Sequence, residues 1–268
     1  MQASNQIVRG LWVGSELSIM EQLSIRSFLA NGHHYQLYVY EDVKNIPPGT
    51  QVMDANCILP IERVFTYQHG AEKGSYSGFA DEFRLHLLSQ KGGWWADLDV
   101  VCLKPFDFRS AYVIASSYEG QWGSPAINCV MKMPAKSCLA SYLCREAQRY
   151  DPQQIRFTET GPRLLQKAIE RLELHSTVVD HETFCAISWR SVRQKIVYDE
   201  SNTLVLRATH WAKDYVRSIL KPEMSVDRLR GNAYAIHLWS EIWRREQLDK
   251  NGTYHPTCLY ERLKNRYL

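Results

Sequence analysis

The sequence predicts a single α/β domain with a mixed, mostly parallel central sheet flanked by helices. Three observations carry that prediction. Residues 7–40 read strand, helix, strand, which is the signature of a βαβ unit and of parallel pairing. Strand and helix patterns then alternate to near the C-terminus. Finally, no repeat or low-complexity tract divides the 268 residues, a length that suits one large α/β domain.

The first strand, 7–13 (IVRGLWV), stops at Gly14. Ser18 with Glu21 three residues on forms a capping box, and the helix it starts runs to Asn31-Gly32, a stop signal. Residues 35–40 (YQLYVY) are the second strand. From 45 to 75 the chain is looser, broken by Pro47-Pro48-Gly49 and Gly70. A helix returns over 77–90, with Phe79, Phe83 and Leu87 forming one i, i+4, i+8 ridge, and Lys91-Gly92-Gly93 ends it. Residues 94–103 (WWADLDVVCL) read as one strand, followed by strands at 111–118 and 126–133. Helices are expected over 135–150 and 161–172, the latter with Pro162 in its first turn. Residues 177–210 look short and β-like. The segment 212–231 reads as a basic loop, and 233–243 (AYAIHLWSEIW) as a late strand running into an aromatic segment.

Composition narrows the class. With 45% hydrophobic and 23% charged residues, the chain is ordinary for a soluble globular protein. A net charge of +3 is too small to argue for nucleic acid. The seven cysteines are odd in number and scattered, without a C-x-x-C pair. The pattern predicts reduced thiols in a reducing compartment, with neither a disulfide framework nor a zinc knuckle. No signal-peptide core and no membrane-length apolar run occur, so a cytoplasmic protein is expected, with peripheral membrane contact as an option. Asn251-Gly252-Thr253 fits a glycosylation sequon and reads as an incidental turn.

The chemistry concentrates at Asp97 and Asp99. Residues i and i+2 of a strand share a face, so both carboxylates would point together while Leu98 faces the core. Two like charges that close repel, and one stays protonated unless a cation intervenes. Hard divalent cations favour carboxylate and water oxygens, often completed by substrate phosphates. The carboxyl end of a strand is also where open α/β sheets bind ligands. The pair therefore points to a metal–diphosphate site; two solvated turn aspartates are the plain alternative. On the preceding helix Asp81 and Arg84 lie three apart, away from the Phe ridge. Leu85 and Leu88 flank them, so this face is also covered, and a covered ion pair is costly unless further bonds satisfy it.

The stretch FADEFRLHLLSQKGGWWADLDVVCLKPFD, Phe79 to Asp107, resembles the DXD-containing sugar transferases of glycosyltransferase family 32. More distantly it resembles the glucosylating domains of large clostridial toxins. The resemblance lies in an A-D-x-x-R helix, a GG-W-W-A-D-x-D turn and a C-L-K-P strand following in this order. The resemblance implies one GT-A-type domain over 1–268, with nucleotide and metal binding in about 1–135 and the acceptor side in about 136–268. It implies metal-dependent, retaining transfer of a hexose or N-acetylhexosamine from a UDP-sugar to a hydroxyl acceptor. Asp99 and Asp97 would hold Mn²⁺ or Mg²⁺, although Asp97 could instead bind the ribose or act through water. His237 would be the third ligand, against the plain reading of a satisfied core histidine.

Further roles come from the same resemblance. Asp81 and Arg84 would bind the donor sugar, with Arg84 beside the reacting carbon and Asn128 nearby. Trp12 would stack on uracil, with Gly14 letting the backbone approach; a core aromatic is the plain reading of Trp12. Trp239, Ser240 or Trp243 would donate to phosphate oxygens, and Thr160-Gly161-Pro162 would lie at the active-site mouth. No second carboxylate is evident for a covalent intermediate, Asp81 and Glu82 being the candidates, so a front-face reaction is expected.

Trp94 and Trp95 depart from the smaller or tyrosine residues usual before the D-x-D, and 177–231 holds no family motif. The expected acceptor is a glycan or lipid-linked glycan in bacterial surface polysaccharide synthesis, with a protein acceptor as the alternative. Basic segments 214–231 and 260–268 are candidates for contact with anionic lipid. Two rival readings stand beside this one. A sugar nucleotidyltransferase would want a Gly-rich phosphate loop that LWVGSEL does not supply. A non-catalytic carbohydrate-binding protein would leave the charged groups without a purpose.

Overall fold

The computed structural model describes residues 5–197 and 232–268. Its strands are β1 Ile7–Leu11, β2 His34–Val39, β3 Gln51–Asp54, β4 Gly93–Ala96, β5 Val100–Cys102, β6 Val113–Ser116, β7 Ala126–Met133 and β8 Ala235–His237. The helices are α1 Ile19–Ala30, α2 Ser77–Lys91, α3 Cys138–Ala147, α4 Pro162–Arg171, α5 Ser240–Arg245 and α6 Leu259–Tyr267. The main sheet has six strands in the order β3-β2-β1-β4-β7-β6. Pairing is parallel across β3, β2, β1 and β4 and antiparallel at β7 and β6.

The tandem tryptophans follow from the position of β4. It is an inner strand, and successive side chains point to opposite faces. Trp95 enters the apolar cluster under α2, with Phe79, Phe83 and Leu87. Trp94 enters the cluster on the other face, with Phe28, Tyr35 and Phe106. Both are almost fully buried. Asn5 fixes the Trp94 side, its amide oxygen accepting from Trp94 Nε1 at 3.1 Å and from the buried Lys132 Nζ at 2.7 Å.

The expected single strand 94–103 is in fact two strands. β4 ends at Ala96, and Asp97–Asp99 form a turn in which the Val100 amide donates to the Asp97 carbonyl at 3.0 Å. β5 then leaves the main sheet and pairs antiparallel with β8, Val100 opposite His237.

Two other regions differ from expectation. Residues 51–54, expected as loop, form an edge strand that is polar and exposed, with Val52 half exposed. Between 175 and 196 the chain makes tight helical turns rather than strands. Asp180 and Ser188 accept from backbone amides two residues on, a local pairing that competes with a β ladder. The rest of that segment and the basic loop 212–231 lie outside the described residues, as does the candidate lipid contact 214–231. Among the described residues no helix is long and apolar enough to cross a membrane. The basic C-terminal tail, the other candidate lipid contact, forms α6, which packs Tyr260 and Leu263 inward.

Gly92 and Gly93 both have positive φ, 62° and 78°, and they turn the chain from α2 into β4. A Cβ on Gly92 would meet the Ala135 amide nitrogen at 2.5 Å. Gly92→Ala should therefore cost about 2 kcal/mol, read as a lower denaturation midpoint; an unchanged midpoint would count against a strained turn.

Candidate active site

The site lies at the carboxyl ends of β1 and β4, beside the β5/β8 ribbon. Its floor is built around Arg84 of α2, which is 3% exposed. One guanidinium nitrogen lies 3.3 Å from Asp81 Oδ1 and 3.1 Å from Asp97 Oδ1. The other donates to the Asn128 carbonyl on β7. Asn128 in turn donates from its amide to Asp81 Oδ1 at 2.7 Å. Asp97 also accepts from Trp95 Nε1 at 2.7 Å. Helix, turn and strand are thus tied through one cation.

Gly161 presses its backbone against this floor. A side chain there would strike the Asp81 carboxylate and approach Asn128 Nδ2 at 2.9 Å. Thr160-Gly161-Pro162 therefore starts α4 and packs against Asp81.

Asp99 is placed from the C-terminal side. The Leu238 amide donates to its carbonyl at 2.8 Å, and the Ser240 amide donates to Oδ2 at 2.7 Å. His237 Nε2 is 3.2 Å from Oδ1. That approach does not have hydrogen-bond geometry, and Oδ1 is buried without a hydrogen-bond partner. Ligand atoms of Asp97, Asp99 and His237 all lie within 4.8 Å of one another. An orphaned carboxylate oxygen facing a second carboxylate and an imidazole fits a divalent cation with oxygen and nitrogen donors.

The titration behaviour follows from burial and neighbours. Burial raises Asp97 to about 6, with Asp99 adding to the rise and Arg84 opposing it. Burial would also raise Asp99, but the charged His237 and the bonds from Ser240 hold it well below the usual carboxylate range. For His237, burial disfavours the cation, yet Asp99 and the Cys129 thiol lift it well above an ordinary histidine. Asp81 is raised by burial against the pull of Arg84 and Asn128.

A cleft of about 660 Å³ opens over this floor and is lined by Asp81, Arg84, Asp97, Asp99, Asn128, His237, Trp239 and Ser240. Those eight expected residues are brought together. Trp12, Gly14 and Trp243 do not line it. Trp12 and Gly14 sit side by side just past β1, with the Trp12 indole nitrogen buried and unpartnered.

Trp243 is fully buried, and its indole N–H donates to the Leu238 carbonyl at 2.9 Å. It therefore has no donor for a phosphate, which corrects the expected role. Trp239 likewise spends its N–H on the Ile187 carbonyl at 2.7 Å. Its ring stacks on His237 with centroids 4.0 Å apart. Its φ of 61° is a rare left-handed conformation for an aromatic residue. The Ser240 amide serves Asp99.

Glu119 and Trp189 also line the cleft, and sequence reading missed both. Trp189 Nε1 donates to Glu119 at 3.0 Å and Arg190 donates to it at 2.7 Å. They come from short turns without periodicity or motif.

No protein family model matches the chain, and no curated protein matches it. Solved structures do. The chain is similar to the PaToxG glycosyltransferase, at 14% identity over 86% of this chain and 88% of that one, with a TM-score of 0.50. It also aligns with the UDP-bound glycosyltransferase domain of the YGT toxin, at 8% identity over 92% and 94% of the two chains, with a TM-score of 0.47. A third match is the apo-form glycosyltransferase GlyE of Streptococcus pneumoniae TIGR4, at 9% identity over 97% and 62%, with a TM-score of 0.41. The first of these establishes the class of fold. It is the GT-A type, a mixed and mostly parallel sheet between helices.

One pH dependence follows. The folded value of Asp97, about 6, lies above the unfolded value near ~4. Its contribution to stability is therefore full below about pH 4 and is lost as pH rises through about 6. Denaturant titrations of metal-free protein should show wild type losing stability relative to Asp97→Asn across that window. Parallel curves would contradict the buried environment.

Proposed function

We propose that this chain transfers a sugar from a UDP-sugar to a hydroxyl acceptor, using a divalent cation held by Asp97 and Asp99. The observation that carries the reading is the buried, unpartnered Oδ1 of Asp99, facing Asp97 and His237 on the floor of the cleft. Mn²⁺ or Mg²⁺ bound there would neutralise charge on the departing diphosphate.

The chain's own residues have distinct parts in this reading. The Ser240 and Leu238 amides orient Asp99, Trp95 orients Asp97, and His237 Nε2 completes the donor set. Asp81 and Asn128 present an acceptor and a donor to sugar hydroxyls, and Arg84 supplies fixed positive charge between the two carboxylates.

Retention is what the resemblance implies, and for a retaining reaction the engagement of Asp81 and Glu82 favours front-face attack over a covalent intermediate on either. Asp81 is engaged by Arg84 and Asn128. Glu82 pairs with Arg63 in a different cavity. Neither is free to form a covalent intermediate. Arg163 and Lys167 line the cleft beside Glu119, Glu170 and Glu241, and Arg245 pairs with Glu72 and Glu241, so the rim is mixed in charge. In this reading the acceptor is a lipid-linked glycan, and the enzyme serves polysaccharide synthesis at the inner face of the cell membrane.

Calorimetry with UDP tests the site without any acceptor. UDP should bind wild type with Mn²⁺, lose most of its affinity with chelator, and bind Asp99→Asn at least tenfold more weakly. Equal binding by the variant, or indifference to metal, would refute the assignment.

A further inference from the structure

Behind the carboxylate site, on the other edge of the His237 ring, lie two cysteines that the proposed reaction does not use. Cys129 is on β7, Cys185 follows the turn His181–Thr183, and His237 ends β8. All three are less than 10% exposed. The two sulfurs are 3.6 Å apart, and Cys185 Sγ is 3.9 Å from His237 Nδ1. All three ligand atoms lie within 4.8 Å of one another. We infer that Cys129, Cys185 and His237 Nδ1 form a binding site for a soft or borderline cation of the zinc class, separate from the hard-cation site on Asp97 and Asp99.

The separations fit that chemistry. Zinc bonds of about 2.3 Å to sulfur and about 2.0 Å to nitrogen, at tetrahedral angles, put sulfurs about 3.8 Å apart and sulfur about 3.5 Å from nitrogen. The sulfur–sulfur and Cys185–His237 separations, 3.6 and 3.9 Å, are each within about half an ångström of this arrangement. Two thiols and an imidazole make a soft donor set, unlike the oxygens around Asp97. Three protein ligands leave one tetrahedral position open, and Cys129 also lines the cleft, which gives the ion a way in. The thiol protons leave to solvent when the metal binds.

The histidine is already oriented for the task. Its Nε2 faces Asp99 Oδ1 at 3.2 Å, which turns the opposite nitrogen, Nδ1, toward the cysteines. With Nδ1 on the soft ion, Nε2 keeps its proton beside Asp99 Oδ1 and cannot ligate a hard cation. Zinc would thus withdraw one donor from the Asp97/Asp99 site.

The test needs neither nucleotide nor sugar, so it is independent of the transferase reading. Reduced protein stripped with chelator is titrated anaerobically with Co²⁺. One equivalent should give a near-ultraviolet thiolate-to-cobalt charge-transfer band with tetrahedral visible bands, all removed by Zn²⁺. Cys129→Ser and Cys185→Ser should each lose the charge-transfer intensity. Asp97→Asn should keep it, and so should Cys57→Ser, since Cys57 is exposed and outside the cluster. Zn²⁺ should also raise the Tm of wild type, a readout that does not depend on the cysteine variants folding. Absence of the band from wild type, its survival in Cys185→Ser, or a Tm indifferent to Zn²⁺ would each overturn the site. A Cys129–Cys185 disulfide in protein that takes no cobalt would overturn it as well.

Discussion

Arg84 is the group on which the rest of the site depends. Its guanidinium lies between Asp81 and Asp97 and reaches the Asn128 carbonyl on a third element. Its plane also sits over the Trp95 ring at 5.0 Å. A cation this deeply buried carries a large desolvation cost, offset only when charges and hydrogen bonds surround it. Lysine could not substitute, because a single ammonium point cannot address two carboxylates and a carbonyl in a planar fork. Because Arg84 is fixed by α2, and α2 by its Phe ridge, apolar packing sets the position of the carboxylates.

The two aspartates are held by opposite means. Asp97 is gripped by the central core, through Arg84 and Trp95, and burial leaves it inclined to keep a proton. Asp99 is gripped by the C-terminal segment, through Leu238, Ser240 and His237, which favour its anion. Neighbouring carboxylates with separated proton affinities can coexist without ordinary solvation. A cation placed between them would meet one anion held well below the usual carboxylate range and one carboxylate that burial lifts to about 6.

Much of this was legible in the sequence, for identifiable reasons. The capping box at Ser18 and the Phe79/Phe83/Leu87 ridge are local signals, and both elements form where they indicate. The convergence of Asp81, Arg84, Asp97 and Asp99 was implied by the resemblance of the Phe79–Asp107 stretch to a known family, not by spacing alone. What escaped was non-local. The break at Ala96 depends on β5 finding β8, and nothing within WWADLDVVCL reports that pairing. Trp243 looked like a phosphate donor because composition does not reveal which carbonyl an indole has already found. Cys129 and Cys185 stand 56 positions apart and follow no spacing rule. Their meeting with His237 is a property of the fold alone.

The pairing of Val100 with His237 also bears on how the protein comes into being. Asp99 and the Ser240 amide that fixes it are 141 positions apart, and contacts of such long range form late, after the entropy of closing the intervening chain has been spent. During synthesis the parallel half of the sheet can assemble while Asp99 still has no partner. The finished site therefore exists only after the last strand has docked. A chain stalled before residue 235 would carry the recognisable aspartate motif and lack the means to hold it.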